Sequence, residues 1–195
     1  MLTGYFPDSK EITESMGILY FASKFAEFKN KEVTHFVLGD GVYPRTASMA
    51  AFITKWKNVS IDPVMKVERA EIKEHPLNGQ TKVIENVRTI KCGCQDYQWN
   101  EIDSGQVAVV SAVHCHASSG QIEDFISKIW HHFDSIYLID MPCCVNHKEL
   151  NILYGEPIEE FYDMNVFSPH RMFYGYRIKY DAKKALEDMG LHDDT

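Results

Sequence analysis

The sequence lacks the features of an exported or membrane-spanning protein. No apolar run approaches the roughly 20 residues that a membrane helix needs. Residues 1–8 have neither the basic start nor the apolar core of a signal peptide. Internal repeats and low-complexity segments are also absent. The chain has 195 residues, of which 45% are hydrophobic, and this is enough for a full core. These features favour one cytoplasmic domain over residues 1–195, with no membrane partner.

Positive charge and paired cysteines are scarce as well. The chain has 20 Lys and Arg residues against 28 Asp and Glu residues, for a net charge of −8. No basic stripe is visible, so an RNA acceptor would need a local basic patch or a partner subunit. Without a secretion signal, an odd set of five cysteines indicates reduced thiols. We expect Cys143 and Cys144 to be half-buried behind the site.

Hydrophobic periodicity predicts an α/β fold with a mostly parallel, Rossmann-like sheet, helices on both faces and a C-terminal antiparallel hairpin. The predicted strands are His35–Leu38, Asn58–Asp62, Val83–Ile90, Gln106–Val113 and Ser135–Ile139, followed by a hairpin of residues 159–166 and 172–179. Helices are predicted over 11–29, from Pro44, over 122–133 and over 181–189, and residues 63–75 form a helix or a loop. The predicted parts are an N-terminal helix (1–31), nucleoside-binding βα units (32–144), and a hairpin with a tail (145–195).

A glycine turn, Gly39-Asp40-Gly41, joins the first predicted strand to the helix that begins at Pro44. Glycines let a ligand approach the backbone, and a helix start offers free N–H groups. Asp62 ends the next strand 21 residues after Gly41. At this spacing a nucleoside-binding unit places a carboxylate on ribose hydroxyls. The full Gly-x-Gly-x-x-Gly motif is absent because position 44 is Pro, so an ordinary tight turn with a solvated acid stays open as the alternative.

Residues with reactive or polar side chains follow all five predicted strands. Ligands of open α/β sheets bind outside the carboxyl ends of the strands, so these segments should converge on one site. The segments are Gly39–Tyr43, Asp62, Cys94–Asp96, His114–Ser119 and Asp140–Cys144.

Two histidines follow the fourth predicted strand, in the segment His114-Cys115-His116. In an extended chain both imidazoles point to one side and Cys115 points to the other. Imidazoles titrate near neutral pH and can orient an acceptor or take its proton. For each histidine alone, a structural hydrogen bond stays open as the alternative.

The same strand ends carry soft metal ligands, which gives a second interpretation. His114, His116, Cys143 and Cys144 would suit zinc or iron. Their spacings are not those of structural zinc sites, and adjacent residues of an extended strand point in opposite directions. A metal-binding protein is therefore kept as an alternative.

The strand–glycine–helix unit, the acid after the second strand and the terminal hairpin resemble the class I S-adenosylmethionine-dependent methyltransferases, over roughly 32–179. Val113–Ser119 and Met141–Cys144 resemble a branch that contains the Trm13-type transfer-RNA 2′-O-methyltransferases and the methyltransferase-like 25 proteins. That branch carries His-x-Cys-Gly-x-x-Thr-Asp and Pro-Cys-Cys at these strand ends. Val166–Arg171 is similar to its Ser-Pro-Lys turn. In this chain His116 and Ala117 stand in place of the branch's cysteine and glycine.

The resemblance implies a methyltransferase with S-adenosylmethionine as its cofactor and an RNA or protein acceptor, so that RNA modification is one expected role. It implies that Asp62 binds the ribose, Asp96 accepts from the adenine amino group, and His114 and His116 border the methyl group. The remaining cofactor-binding residues would be Gly39, Asp40, Gly41, Tyr43, Arg45 and Ser118. The unusual glycine turn and the small size leave open a non-catalytic methyltransferase-like binding or scaffold protein.

Overall fold

Eight strands and four helices make up the computed structural model, which describes residues 5–25, 28–73, 81–142 and 147–179. The helices are α1 (Ser9–Ser23), α2 (Arg45–Ile53), α3 (Ser119–Ile129) and α4 (His147–Tyr154). The strands are β1 (Val33–Leu38), β2 (Lys57–Ile61), β3 (Arg69–Lys73), β4 (Thr81–Ile90), β5 (Val107–Val113), β6 (Ser135–Met141), β7 (Glu159–Tyr162) and β8 (Met172–Ile178).

The strands form one sheet in the order β3-β4-β2-β1-β5-β6-β8-β7. Strands β4, β2, β1, β5 and β6 pair in parallel, whereas β3, β7 and β8 pair antiparallel with their neighbours. Helices α1 and α2 cover one face, and α3 and α4 cover the other. The predicted mostly parallel sheet with a closing hairpin is confirmed. The chain order reverses between β1 and β5, and ligands of such sheets bind at this switch point.

The central strands β1 and β5 are buried on both faces, as expected for apolar runs in a parallel sheet. β1 also buries two polar residues, Thr34 and His35. His35 connects β1 to both neighbouring strands. Its ring bonds Asn58 of β2 (Nδ1···Oδ1, 3.1 Å) and Ser111 of β5 (Nε2···Oγ, 2.7 Å). Burial lowers the pKa of His35 to about 4, although the Asn58 bond opposes the shift. The ring is therefore neutral near pH 7 and links three strands.

Helix α1 is shorter than predicted. Predicted over 11–29, it ends at Ser23 because Phe25 and Phe28 turn onto Tyr137, with ring centroids 5.4 and 5.1 Å apart. Ile12, Met16, Leu19 and Ala22 recur at helical spacing, but only Leu19 and Ala22 are buried, whereas Ile12 and Met16 are exposed. The other buried residues of α1 are Glu14, Ser15, Gly17, Ile18 and Phe21.

The edge of the sheet also differs from the prediction. Residues 63–75 were expected to form a helix or a loop, but residues 69–73 form β3, antiparallel to β4. Among the described residues, only this edge strand pairs with the first half of β4, which extends beyond its parallel partner β2. The predicted strand over 159–166 stops at Tyr162, where Asp163 begins a turn by accepting from Asn165 N at 2.9 Å. Helix α4 was not predicted, and the terminal helix over 181–189 lies outside the described residues.

Candidate functional site

A crevice lies over the carboxyl ends of β1, β2 and β5, and it consists of two adjoining depressions. The α1 depression, of about 610 Å³, is bounded by α1, the start of α2 and residues 169–170. The α3 depression, of about 450 Å³, is bounded by residues 93–96 and 115–121. Both are within the usual size of a small-molecule site. Residues common to both walls mark the junction: Gly39, Asp62, Val64, His114 and His116.

The glycine turn after β1 forms the floor of this junction. Gly39 and Gly41 have φ angles of +73° and +84°, in the left-handed region that favours glycine. A Cβ at Gly39 would also lie 3.1 Å from the Cα of Cys115. Gly39 therefore allows the β1 and β5 loops to pack closely under the crevice.

Asp40 caps helix α2 from within the turn. Its carboxylate accepts from the backbone N–H groups of Thr46 (2.8 Å) and Ala47 (3.2 Å) and from the Ser60 hydroxyl (2.8 Å). Burial raises the pKa of Asp40 to about 6, although these hydrogen bonds oppose the shift. The expectation that the helix start offers free N–H groups is wrong here, because Asp40 occupies two of them.

Asp62 follows β2 and lies at the junction, 7% exposed. Its Oδ2 accepts from Gly41 N and its Oδ1 from Val64 N, both at 2.8 Å. These bonds fix the carboxylate and tie the end of β2 to the glycine turn. Each carboxylate oxygen has a second lone pair, so Asp62 can still accept from a ligand hydroxyl.

Asp96 lies in the wall of the α3 depression, on a 3₁₀ turn of Cys94–Asp96. Its Oδ2 accepts from Gln95 Nε2 at 2.9 Å, and Gln95 Oε1 accepts from Gln121 Nε2 at 3.1 Å. Gln95 lies within the segment Cys94–Asp96 that was predicted to converge on the site, whereas Gln121 was missed as a site residue. Its position in the first turn of α3 is the signal that would have found it. Both glutamines add polar groups to a depression that is also lined by the apolar residues Ile61, Pro63 and Ala117.

His114 does not continue the β5 strand. Its φ of +49° is left-handed, so the extended alternation assumed for residues 114–116 is wrong. Cys115 is instead buried beneath the crevice, beside Gly39. Both imidazoles nevertheless line both depressions, with His116 exposed and His114 half-buried.

Glu14 of α1 is the charged partner of His114. Its Oε1 lies 2.7 Å from His114 Nε2, and its side chain is 3% exposed. Burial alone would raise the pKa of Glu14, but hydrogen bonds from His114 and Ser168 and the charges of His114 and Lys10 outweigh it and lower the pKa. Glu14 is therefore an ionised carboxylate at neutral pH. It was missed because it lies 100 residues from His114 along the chain.

Three predicted cofactor-binding residues have other contacts. Tyr43 stacks on Tyr5, with ring centroids 5.3 Å apart, and lines neither depression. Ser118 caps α3 through a capping box with Gln121 and also lies outside both depressions. Arg45 does line the α1 depression, where it pairs with Glu11 and donates from Nε to Tyr5 O at 2.7 Å. The crevice thus brings together eight of the ten predicted residues: Gly39, Asp40, Gly41, Arg45, Asp62, Asp96, His114 and His116.

The cysteines in the described part of the chain form no disulfide bond. Cys92, Cys94 and Cys115 are free, and burial raises the pKa of Cys94 to about 11 and of Cys115 to about 12. Neutral thiols of this kind are poor nucleophiles and poor metal ligands. Within the described residues no group of three His, Cys, Asp or Glu side chains could hold a metal ion. Cys143 and Cys144, on which the metal interpretation and the expected packing depended, lie outside these residues.

A membrane span is not found either: none of the helices in the described ranges is long and apolar enough to cross a bilayer.

No protein-family model matches the sequence, and no curated protein sequence matches it. Solved structures do match. A S-adenosylmethionine-dependent methyltransferase from Leishmania major has a TM-score of 0.56 at 11% identity, over 89% of this chain and 74% of that one. Human methyltransferase 10 domain containing protein has a TM-score of 0.45 at 11% identity, over 90% and 84%. The TrmK protein of M. capricolum, in complex with S-adenosylhomocysteine, has 0.45 at 12% identity, over 82% and 67%. The chain therefore has the fold of the Leishmania S-adenosylmethionine-dependent methyltransferase.

Proposed function

We propose that this protein binds S-adenosylmethionine in the crevice and transfers its methyl group to an acceptor. The observation that carries the proposal is the position of Asp62. A fixed carboxylate lies at the junction of two depressions, over the switch point of a methyltransferase-type sheet. Of the depressions on either side of Asp62, one would hold the nucleoside of the cofactor. The other would hold its methionine part and the acceptor.

The lining of the α3 depression fits an adenosine group. Ile61, Pro63 and Ala117 offer apolar contacts for the faces of a flat base, whereas Asp96 offers a carboxylate for its amino group. Asp62 would then accept from the ribose hydroxyls. The methionine part would lie over Gly39 and Gly41, toward the α1 depression.

The acceptor is assigned to the α1 depression, next to the junction where His114 and His116 lie. Methyl transfer from an activated sulfonium mainly requires alignment of donor and acceptor, so few catalytic groups are needed. We propose that at least one of His114 and His116 lines the methyl-transfer pocket and orients a hydroxyl or amine acceptor or takes its proton. The sequence resemblance to the Trm13-type branch supports RNA as the acceptor class, with a protein as the alternative.

A binding or scaffold protein without catalysis is the second candidate. It is favoured by Asp40, which occupies N–H groups of α2 that could otherwise bind the methionine carboxylate. Lys10 and Arg45 line the α1 depression and are the cations that remain for the methionine carboxylate. Transfer of labelled methyl groups separates the two candidates.

Calorimetry with S-adenosylhomocysteine tests the cofactor assignment. Asp62→Ala should weaken binding by about 1–3 kcal/mol, because a charged hydrogen-bond acceptor is lost. Asp134→Ala is the matched control. Asp134 is exposed and directly precedes β6, so it lies at the amino ends of the strands, opposite the crevice. Unchanged affinity in a folded Asp62→Ala protein would remove the nucleoside assignment.

Incubation with methyl-tritiated S-adenosylmethionine and separate RNA and protein fractions tests the reaction. Label in the RNA fraction supports an RNA acceptor, and label in the protein fraction supports the alternative. Binding without label in either fraction supports the scaffold candidate.

A further inference from the structure

A buried carboxylate of helix α1 contacts His114 in the crevice. None of the predicted catalytic residues lies on this helix. Glu14 of α1 lies 2.7 Å from Nε2 of His114, and the structure gives this ring no other hydrogen-bond partner among the described residues. The Glu14 side chain is 3% exposed and that of His114 is 21% exposed. The carboxylate is therefore shielded, whereas the ring reaches the crevice.

Helix α1 is held firmly in the position that makes this contact. A Cβ at Gly17 would lie 2.7 Å from Cζ of Phe173, so only glycine lets the helix pack this closely on β8. Ser15 Oγ lies 2.9 Å from Thr46 Oγ1 of α2. Both attachments lie within one turn after Glu14 and leave its carboxylate little freedom, as a positioning group requires.

The backbone of His114 adds a second constraint. Its left-handed φ of +49° costs roughly 1–2 kcal/mol for a residue with a Cβ. Strain of this kind persists only where surrounding contacts impose it, and it is common at active sites. The contacts here are the ring bond to Glu14 and the backbone bond from His114 N to Met141 O, at 3.2 Å.

The bond fixes which ring nitrogen is basic. A carboxylate accepts only, so Nε2 of His114 must donate to Glu14. In the neutral ring Nδ1 is then the unprotonated nitrogen. A second charged partner of Glu14 is Lys10, whose Nζ lies 3.5 Å from the same carboxylate oxygen and whose side chain is 45% exposed.

We propose that Glu14 is a positioning residue that holds His114 with Nδ1 free toward the crevice, so that His114 is the base for an O–H or N–H acceptor. This inference rests on the proposed methyl transfer. The acceptor's lone pair forms the bond to the methyl carbon, the carbon–sulfur bond breaks and its electron pair stays on sulfur, and the acceptor's proton moves to Nδ1. The positive charge passes from the sulfonium to the imidazolium, which the Glu14 carboxylate stabilises.

Two cofactor analogues test this without knowledge of the acceptor. Sinefungin differs from S-adenosylhomocysteine only near the reacting position, where it carries an amine. That amine can donate to Nδ1 of His114 in the field of Glu14. Glu14→Gln should therefore weaken sinefungin about 10-fold, the scale of one charge-assisted hydrogen bond. The affinity for S-adenosylhomocysteine should stay within about 2-fold, since it makes no such bond.

Two further variants complete the design. Asp103→Asn is the matched control, because Asp103 is also a buried carboxylate, paired with Arg88 and Tyr97 away from the crevice. It should leave the affinities for both analogues unchanged. His114→Asn should reproduce the selective loss of sinefungin, and Asn tolerates the left-handed backbone. It also serves if Glu14→Gln fails to fold.

The outcomes separate this inference from the proposed function. If the wild-type protein binds neither analogue, the proposed function fails and the role of Glu14 fails with it. If it binds both and the variants weaken neither or both equally, the cofactor assignment stands and Glu14 is only structural. Selective loss of sinefungin supports the inference. Where an acceptor fraction has been labelled, kcat should fall in Glu14→Gln with little change in KM.

Discussion

The loops after β1 and β5 both connect a central strand to a helix, yet they use their polar groups differently. In the β1 loop, Asp40 bonds the first N–H groups of its own helix and is buried. In the β5 loop, the helix is capped by the exposed Ser118, which leaves His114 to bond α1 and His116 to face the crevice. The first loop uses its carboxylate on its own helix and on the adjacent strand β2, whereas the second reaches α1.

The left-handed residues show the same difference. The β1 loop has glycine at both of its left-handed positions, so no side chain is aimed from them. The β5 loop has His114 at its left-handed position, which carries strain and aims an imidazole. The comparison indicates that the β1 loop supplies shape to the crevice and that the β5 loop supplies its imidazole side chains.

Asp40→Ala should give the largest effect if the β1 loop is held together by its own carboxylate. The loss of the α2 cap and of the Ser60 bond should lower the free energy of unfolding by about 3 kcal/mol. Urea unfolding measures this. Ser60→Ala removes one of the same bonds and should lower it by about 1 kcal/mol. An Asp40→Ala protein as stable as the wild type would show that the loop does not depend on its own carboxylate.

Asp140, at the end of β6, is a second buried carboxylate for the comparison. Unlike Asp40, it does not cap a helix of the described chain. It is 3% exposed, its Oδ2 has no partner among the described residues, and burial raises its pKa to about 7. An acid with a raised pKa binds its proton more tightly in the folded chain. Its contribution to stability is therefore complete below the unfolded pKa, near 4, and is lost as pH rises through about 7.

Asp140→Asn should consequently raise the free energy of unfolding at pH 8 by about 2 kcal/mol and change it little at pH 4. The difference between variant and wild type, from urea unfolding at both values, isolates Asp140 from the opposite contribution of His35. A difference that is constant with pH would show that Asp140 titrates normally.

Ser118→Ala should give the smallest effect, since its hydroxyl caps α3 at the surface. We expect the free energy of unfolding to fall by about 1 kcal/mol and the affinity for S-adenosylhomocysteine to stay unchanged. Calorimetry and urea unfolding on the same sample measure both. Weaker binding would return Ser118 to the cofactor site and make the two loops more alike than the structure indicates.

The parts of the fold that were predictable from sequence are those that depend on local pattern. The apolar runs of β1, β5 and β6 identify buried parallel strands, and Ser118 with Gln121 identifies the start of α3. The acid after β2 was found by its spacing from the glycine turn. Each of these signals lies within a single element or within one strand–helix–strand segment of the chain.

The remaining features depend on contacts between distant residues. Glu14 reads as an ordinary helix residue until α1 is packed against β5. The backbone of His114 is set by neighbours on α1 and β6, so its direction could not follow from strand alternation. Strand β3 has little apolar pattern, and pairing with β4 decides its conformation.

The His35 link across β2, β1 and β5 has a consequence for how the sheet assembles. Both ring nitrogens are satisfied only when residues 35, 58 and 111 lie side by side, although they are far apart along the chain. Sliding β1 by two residues, the smallest slip that keeps its faces, would bury an unpaired imidazole at a penalty of about 1–3 kcal/mol. An apolar residue at position 35 would tolerate that slip. The imidazole therefore fixes the register of β2, β1 and β5, and all three strands must pair before both of its bonds can form.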